Sequence, residues 1–584
     1  MKLKLQWLYA ATLTIFSGTA ISQATLHVSA TGTDVSNDCT LPGNPCATIG
    51  HAYTQITAGD TIKVAPGSYN LNATLNISES VVITSSDPSD QPVITSSVAD
   101  LINVNSDDVT ISNLNFQMGL TATSGLRGIV STQNFDNIKI LNNTFESTNP
   151  ISGTPNTNMV WTAFAISLAS DNGHVQNVEI RNNEIIAAST ANIFGRGIFI
   201  GNGGAGKDAP GGIIDGNNVT AYYAIQSARF ANDMDITNNT FNGITMINAP
   251  LTGVTVAIDN NTFSGETQMT PNSLYALVEL RSVEDASVIF SNNTVENYAN
   301  IGFISESSKN VTVSGNTFNP AATAANFISL MVNTKFMTNG VQGNTYSDEI
   351  EILGNTFNAG TVNQGTAIVF ADHYGVNTPA FGTITIGGAT AADQNIFDAD
   401  LGKYIVLDDN AGASTAYPLW APYHSTTMKP VDQNITALAI HNNYNLVDFA
   451  AIEAKITDAD NNPLLGQVII KSAGPNRYVA TTGTDVSNDC TLPGNPCATI
   501  AHAVEVAVDS DTINVAAGTY AQTAILTIDV NDLTVRAGDA NDKPVITTNQ
   551  STPSDSIVLA YLHPYAPNHQ PTPVCVFAIP ISFP

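Results

Sequence analysis

One frame recurs eight times along this chain: an apolar residue, Asn three positions later, and a second apolar residue two positions after that. It occurs as Ile140-Asn143-Phe145, Ile180-Asn183-Ile185, Ile214-Asn217-Val219 and Ile236-Asn239-Phe241. It continues as Ile258-Asn261-Phe263, Phe290-Asn293-Val295, Val313-Asn316-Phe318 and Ile352-Asn355-Phe357, with Ile111-Phe116 and His441-Asn442-Asn443 as degenerate members. Steps between the asparagines are 40, 34, 22, 22, 32, 23 and 39 residues. Asn tolerates the left-handed backbone conformation and bonds to its own neighbourhood. An Asn at each corner therefore lets two short strands meet at a sharp bend with both flanking apolar side chains pointing inward. Stacked coils then pile Asn on Asn and Phe on Phe. A repeat of roughly 20–25 residues with one corner per turn predicts a solenoid.

A second class of short strands lies between the corners. It includes Ala163–Leu168, Gly197–Ile200, Ala276–Arg281, Ile301–Ile304, Ala367–Phe370 and Tyr404–Leu407. These segments are β-branched or aromatic and bounded by turn formers. The Leu-x-x-Leu-x-Leu signature of leucine-rich repeats is absent. Only 12% of the 584 residues are charged, which argues against a helical protein, and 43% are apolar, enough for a large core. With 19 basic against 49 acidic residues the net charge is −30, which disfavours nucleic acid and polyanionic polysaccharides as partners.

Residues 1–24 have the form of a signal peptide: Lys2 and Lys4, the apolar run Leu5–Phe16, then Ser22-Gln23-Ala24. No other run approaches a membrane span, so a secreted or cell-surface location is expected. Cys39/Cys46 and Cys490/Cys497 have identical spacing, and each pair is expected to close a local disulfide. Closing such a loop contributes about 2.5 kcal/mol on the chain-entropy model. No histidine is spaced beside either pair as a zinc site needs. Cys575 is left over.

Thr31–Ile49 is identical to Thr482–Ile500. The likeness runs on through Gly59–Tyr69 against Ser510–Tyr520 and Pro92–Thr95 against Pro544–Thr547, then fades near Leu559. Residues 560–584 are a Pro-rich tail of different character, the expected mark of a truncated or frame-shifted reading frame.

These residues resemble the right-handed parallel β-helix proteins of the pectate-lyase-like superfamily. The opening Val28-Ser-Ala-Thr-Gly-Thr-Asp34, Cys46-Ala-Thr-Ile49, Ala58–Ile62 and Ala65–Tyr69 are similar to the N-terminal domain of secreted bacterial β-helix proteins. The resemblance implies an all-β, single-stranded right-handed parallel β-helix with an N-terminal capping helix from Thr48 to about Ile56, Thr48 at its N-cap. Ile49, Ala52, Tyr53 and Ile56 form its apolar face. Thr61–Ala65 would be the first core strand and Pro66-Gly67 the first corner. The expected organisation is signal 1–24, cap and first coils 25–120, parallel β-helix 121–450, closing segment 451–477, duplicated start unit 478–559 and tail 560–584.

Lyases of the superfamily use a Lys or Arg base with calcium-binding aspartates, and its hydrolases a close set of aspartates; neither pattern is present. The catalytic candidates are Glu279 with Arg281, which share a strand face and read first as a surface ion pair, and Asp372-His373, a carboxylate beside an imidazole. Asp107-Asp108 and Asp408-Asp409 read as turns. Arg196, Arg229 and Lys309 show no visible partner in the sequence. Asp458-Ala-Asp460-Asn-Asn462 with Gly466 lacks the Glu of an EF-hand. No cofactor or metal is expected, apart from low-affinity surface calcium. The Asn-x-Thr sequons, such as Asn142-Asn143-Thr144, coincide with the corners and read as fold residues. The expectation is a non-catalytic protein binding carbohydrate or a cell surface. The alternative is a polysaccharide lyase or glycoside hydrolase, for which a neutral polymer fits the acidic chain.

Overall fold

Short strands stack along one axis in three columns. The computed structural model describes residues 23–96, 100–120, 126–131, 133–148, 159–171, 177–188, 193–201, 207–209, 211–227, 230, 232–248, 253–265, 276–281, 286–306, 308–324, 327–333, 337–338, 341–342, 347–361, 365–371, 381–387, 391–407, 435–437, 442–446, 449–458, 468–470, 476–486, 488–508, 511–523, 526–528, 530, 533–539, 542–548, 558–560 and 576–577. Fifteen strands, from Thr25–Val28 to Val468–Ile470, follow one another in chain order in one parallel sheet. A 24-stranded sheet supplies the other two columns, because Asn218–Ser227 and Thr240–Asn248 are long enough to join both. Crossovers between parallel strands wind right-handed. The chain is a right-handed parallel β-helix: the repeat predicts a solenoid, and the family resemblance implies this form of it.

The ladder is longer than the sequence frame indicated. Asn143, Asn183, Asn217, Asn239, Asn261, Asn293, Asn316 and Asn355 continue through Asn395 to Asn442. Asn395 lies in Ala392-Asp-Gln-Asn395-Ile-Phe397, where a small Ala takes the leading position and the frame is hard to see. Each amide from Asn143 to Asn355 repeats one arrangement. Asn261 donates from Nδ2 to Ile236 O (2.8 Å) and to Asn293 Oδ1 (3.0 Å), while its backbone N donates to the same Oδ1 (2.8 Å). The buried amides are thereby paired by one another and by the preceding coil, which is what burial demands.

The left-handed corner is not the ladder Asn itself. Positive φ belongs to the residue before it: Asn142, Asn182, Gly216, Asn238, Asn260, Asn292, Gly315 and Gly354. The work expected of one Asn is divided between two neighbours. The first, usually Asn or Gly, turns the backbone where other residues would be strained. The second is buried and holds adjacent coils together. In sequons such as Asn142-Asn143-Thr144 the acceptor position is therefore the exposed corner residue and the middle Asn is the ladder residue.

Inside, Phe318, Phe357, Phe397 and Tyr444 stack ring on ring at 5.0–5.2 Å, as do Phe116 and Phe145 at 4.9 Å. All are buried, each burial worth about 1.5–3 kcal/mol.

At the N-terminus, helix Ile49–Thr54 is capped by Thr48, whose side chain accepts from His51 N. Ile49 and Ala52 enter the core, and Tyr53 and Ile56 pack against it. The Cys39–Cys46 disulfide forms, with the Cα atoms 5.1 Å apart. Its loop pairs with the outer edge of the first strand: His27 N donates to Cys39 O, Cys46 N to His27 O and Ser29 N to Cys46 O. That satisfies a strand edge which would otherwise be open to another chain. The second copy repeats the device with the Cys490–Cys497 disulfide, helix Ile500–Glu505 and strand Asn476–Val479, and has its own sheets and core cluster.

Candidate functional site

The fold brings His51 within 4.8 Å of Cys39 and Cys46, and His502 likewise to Cys490 and Cys497, which the spacing alone did not predict. Both sulfurs of each pair are consumed in a disulfide, and the Nε2 atoms sit 2.9 and 2.8 Å from Asn37 O and Asn488 O. These clusters are structural. Asp107 accepts from Asp136 N and Asp108 from Asn137 Nδ2, so that pair is part of a turn, as expected. Asp458 accepts from Val468 N, and Asp460, Asn462 and Gly466 lie outside the described residues.

Chemistry gathers instead on the outward face of the column that includes Asp100–Val104, Arg127–Ser131, Met159–Leu168, Ile193–Ile200 and Asn218–Ser227. Strand alternation sends one set of side chains into the core and the other outward. A bend in each strand adds a second inward residue in succession, such as Gly197 before Ile198. A Cβ at Gly197 would lie 2.3 Å from Val219 Cγ1, so only glycine fits that close approach. The bend leaves Arg196 and Phe199 outward. Register then aligns two outward rows: Asp100, Arg127, Phe164, Arg196 and Tyr223, and beside them Asn103, Val130, Ser167, Phe199 and Gln226.

Arg196 is the centre of this face. Its Cζ lies 5.0 Å from the Phe164 ring centroid, 5.1 Å from Phe199 and 5.8 Å from Tyr223. Its Nε donates to Gln226 Oε1, whose Nε2 in turn faces Met246 Sδ at 3.6 Å. Burial lowers the Arg196 pKa from its ordinary value, and the neighbouring Tyr223 opposes that shift. One step away Arg127 grips Asp100 with two bonds, Nε–Oδ1 at 2.6 Å and Nη2–Oδ2 at 2.7 Å. The surface thus offers a planar cation, aromatic rings and an amide, with Asp100 already held by a guanidinium. Such a surface can stack against flat apolar faces and bond to hydroxyls.

Glu279 lies on the same face one rung beyond Met246, and Ile304 follows it. It is 3% exposed, not a solvated surface residue as expected. Arg281 occupies the same strand, paired through its backbone with Asn248 and Glu306, and its side chain lies outside the description. Asp372, His373, Arg229 and the Asp408-Asp409 pair lie outside the described residues. The sequence reading found the strands carrying Phe164 and Phe199 but not their meeting at Arg196. Aligning the two strands rung by rung was the available signal.

No protein-family model matches the chain, and no curated protein matches it. Solved structures do. The A-module of mannuronan C-5 epimerase AlgE6 of Azotobacter vinelandii is 11% identical with a TM-score of 0.36, covering 57% of this chain and 91% of its own. The PL6 family alginate lyase AlyGC is 12% identical with a TM-score of 0.31, covering 90% and 68%. Pectate lyase Pel9A is 10% identical with a TM-score of 0.31, covering 59% and 78%.

Proposed function

We propose that the outward face around Arg196 binds carbohydrate without altering it, on a protein exported from the cell. The observation that carries this reading is Arg196 held among Phe164, Phe199 and Tyr223 with Gln226 bonded to it. Sugar rings have apolar C–H faces that stack on aromatic side chains and hydroxyl rims that bond to guanidinium and amide groups. The two disulfides support export, because such bonds persist in oxidising compartments.

A glycan-array screen of the mature chain, repeated with Phe199→Ala and Arg196→Ala, tests the reading. Glycans retained by the parent and lost by both variants, with thermal melts unchanged, are expected. An array with no retained glycan sinks it.

Glu279 favours a second reading, a polysaccharide-active enzyme, since it is a buried carboxylate on the same outward face as Arg196, one rung beyond Met246. Release of new sugar ends from a retained polysaccharide, abolished by Glu279→Gln, would replace the first reading with this one.

A further inference from the structure

The duplicated cap brings the same three ligand-bearing side chains together twice. Cys39, Cys46 and His51 in the first start unit, and Cys490, Cys497 and His502 in the second, each gather two sulfurs and a ring nitrogen within 4.8 Å of one another. Two thiolates and an imidazole are a donor set for zinc. While the disulfides stand, the sulfurs are not ligands. The loops that carry them are held by more than the disulfides, however. The buried Asn37 side chain places Nδ2 2.8 Å from Thr33 O, 2.9 Å from Pro45 O and 3.1 Å from Asn44 O, and its Oδ1 accepts from Cys39 N at 3.0 Å. Asn488 repeats this with Thr484 O, Pro496 O, Asn495 O and Cys490 N. The cysteine backbones are also fixed to the first strand of each unit. Cys39 O accepts from His27 N and Cys46 N donates to His27 O, matched by Cys490 O with Tyr478 N and Cys497 N with Tyr478 O. Reduction therefore frees the sulfurs without releasing the backbone that presents them. Rotation about the Cα–Cβ bonds is then enough to part them to the separation of about 3.8 Å that two sulfurs take around zinc.

We propose that each start unit, once its disulfide is reduced, binds one zinc ion through its two thiolates and its histidine, with water completing the tetrahedron. A dithiol reductant supplies two electrons and two protons to the protein disulfide and is itself oxidised to a disulfide. Zinc then displaces one proton from each protein thiol. The reduced loop thus exchanges one crosslink for another and stays closed over the edge of the first strand. His51 and His502 are partly exposed, which gives the ion a way in. The two imidazoles are not equally prepared. A ligating imidazole is oriented by a bond from its other ring nitrogen. His502 Nδ1 has Glu505 Oε2 at 3.3 Å, so Nε2 can turn from the Asn488 carbonyl to the metal. The first unit has Thr54 at the aligned position, and its hydroxyl donates to His51 O instead. The second site is therefore the tighter of the two.

The test uses the full chain with Cys575→Ser, which removes the fifth thiol. The protein is reduced with a dithiol, desalted without oxygen and titrated with zinc against a chromophoric chelator. The oxidised protein gives the background from surface carboxylates. Two tight equivalents above that background are expected, and cobalt in place of zinc should show a thiolate charge-transfer band. Cys39→Ser should leave one equivalent, and Glu505→Gln should weaken one of the two by about tenfold. His51→Ala with His502→Ala should weaken both by at least about tenfold. Parent-like melting of that double variant in its oxidised form shows that its fold is intact. Zinc should also raise the melting temperature of the reduced parent. No zinc above background, or no cobalt–thiolate band, overturns the site. Parent affinity without the histidines overturns the ligand set, and zinc uptake with no gain in melting temperature overturns a site built by the fold.

Discussion

Asn143 and Asn183, 40 residues apart in the chain, share one carboxamide oxygen: Asn183 Oδ1 accepts both the backbone N of Asn143 at 3.0 Å and its Nδ2 at 3.2 Å. The same fork recurs down the ladder, so each buried amide is at once donor to the next coil and acceptor from the last. Asn261→Ala removes such a link. It leaves the buried backbone N–H of Asn239 without its acceptor, takes one of the two bonds of Asn239 Nδ2 while the bond to Ile214 O remains, and removes the Nδ2 donor to the Ile236 carbonyl. Unsatisfied buried groups cost about 1–3 kcal/mol each, so a loss of at least about 3 kcal/mol is expected in denaturant melts. Its exposed neighbour Asn260 serves the left-handed corner instead. There Asn260→Ala should cost about 1 kcal/mol and Asn260→Gly almost nothing. Equal losses at 260 and 261 would contradict this division of labour.

Arg196 should not tolerate lysine. A guanidinium is flat, lies against rings and bonds through Nε, whereas an ammonium is a compact point charge on a flexible stem. Arg196→Lys keeps the charge but loses the bond to Gln226 and the plane among Phe164, Phe199 and Tyr223. Cation–π contacts are worth about 0.5–2 kcal/mol, so glycan affinity should fall about tenfold. Calorimetry on the array hit would show it; parent-like affinity in the lysine variant would mean that charge alone matters.

The second copy should weaken as pH rises above neutrality. Burial, the largest single influence on His502, pushes its pKa down, but hydrogen bonds to Glu505 and the Asn488 carbonyl and the charges of Asp485 and Glu505 outweigh it, so the net shift is upward. A group whose folded pKa is raised adds stability that is fully present below its unfolded value of about 6.5. That stability is lost as pH climbs through the folded pKa. Hydrogen exchange at the amides of Ile500–Glu505 should therefore quicken at pH 8.5 relative to pH 5.5, after correction for intrinsic rates. Glu505→Gln should flatten the difference; an unchanged pH response in that variant would exclude the pair as its source.

The helix was legible because its signal is repeated and local. A corner needs Asn or Gly, a core strand needs β-branched or aromatic residues, and both needs recur with each coil. Asn395 escaped because Ala392 stands where the frame has Ile, Phe or Val, while the backbone keeps the ladder geometry regardless. The face around Arg196 was hidden for a different reason. Phe164, Arg196, Phe199 and Tyr223 meet across strands separated by variable numbers of residues, and only the register fixes who faces whom. Glu279 was found on its strand, but its burial depends on what covers the outer face, which strand periodicity does not encode.

The two start units also contain a compensated exchange. In the first, Leu26 is buried in the core, and Asp60 accepts from Ala24 N at 2.6 Å and Thr57 N at 2.8 Å. In the second, the residue aligned with Ala24 is Pro475, which has no N–H to give, and the residue aligned with Leu26 is Arg477. Arg477 is fully buried; its Nε donates to Asp511 Oδ2 at 2.7 Å and its Nη1 to Asp489 O at 2.6 Å. Arginine thus supplies a donor to the Asp511 carboxylate in a unit whose sequence has proline at the position of Ala24. Breaking a buried pair by deleting one partner costs about 3–5 kcal/mol, so Arg477→Leu should destabilise the second unit by that order. Adding Pro475→Ala to Arg477→Leu recreates the first unit's arrangement and should recover much of the loss. Hydrogen exchange across Thr512–Val515 in the parent, both single variants and the double variant completes the cycle. Additive effects, with no recovery in the double variant, would show that the two exchanges are independent.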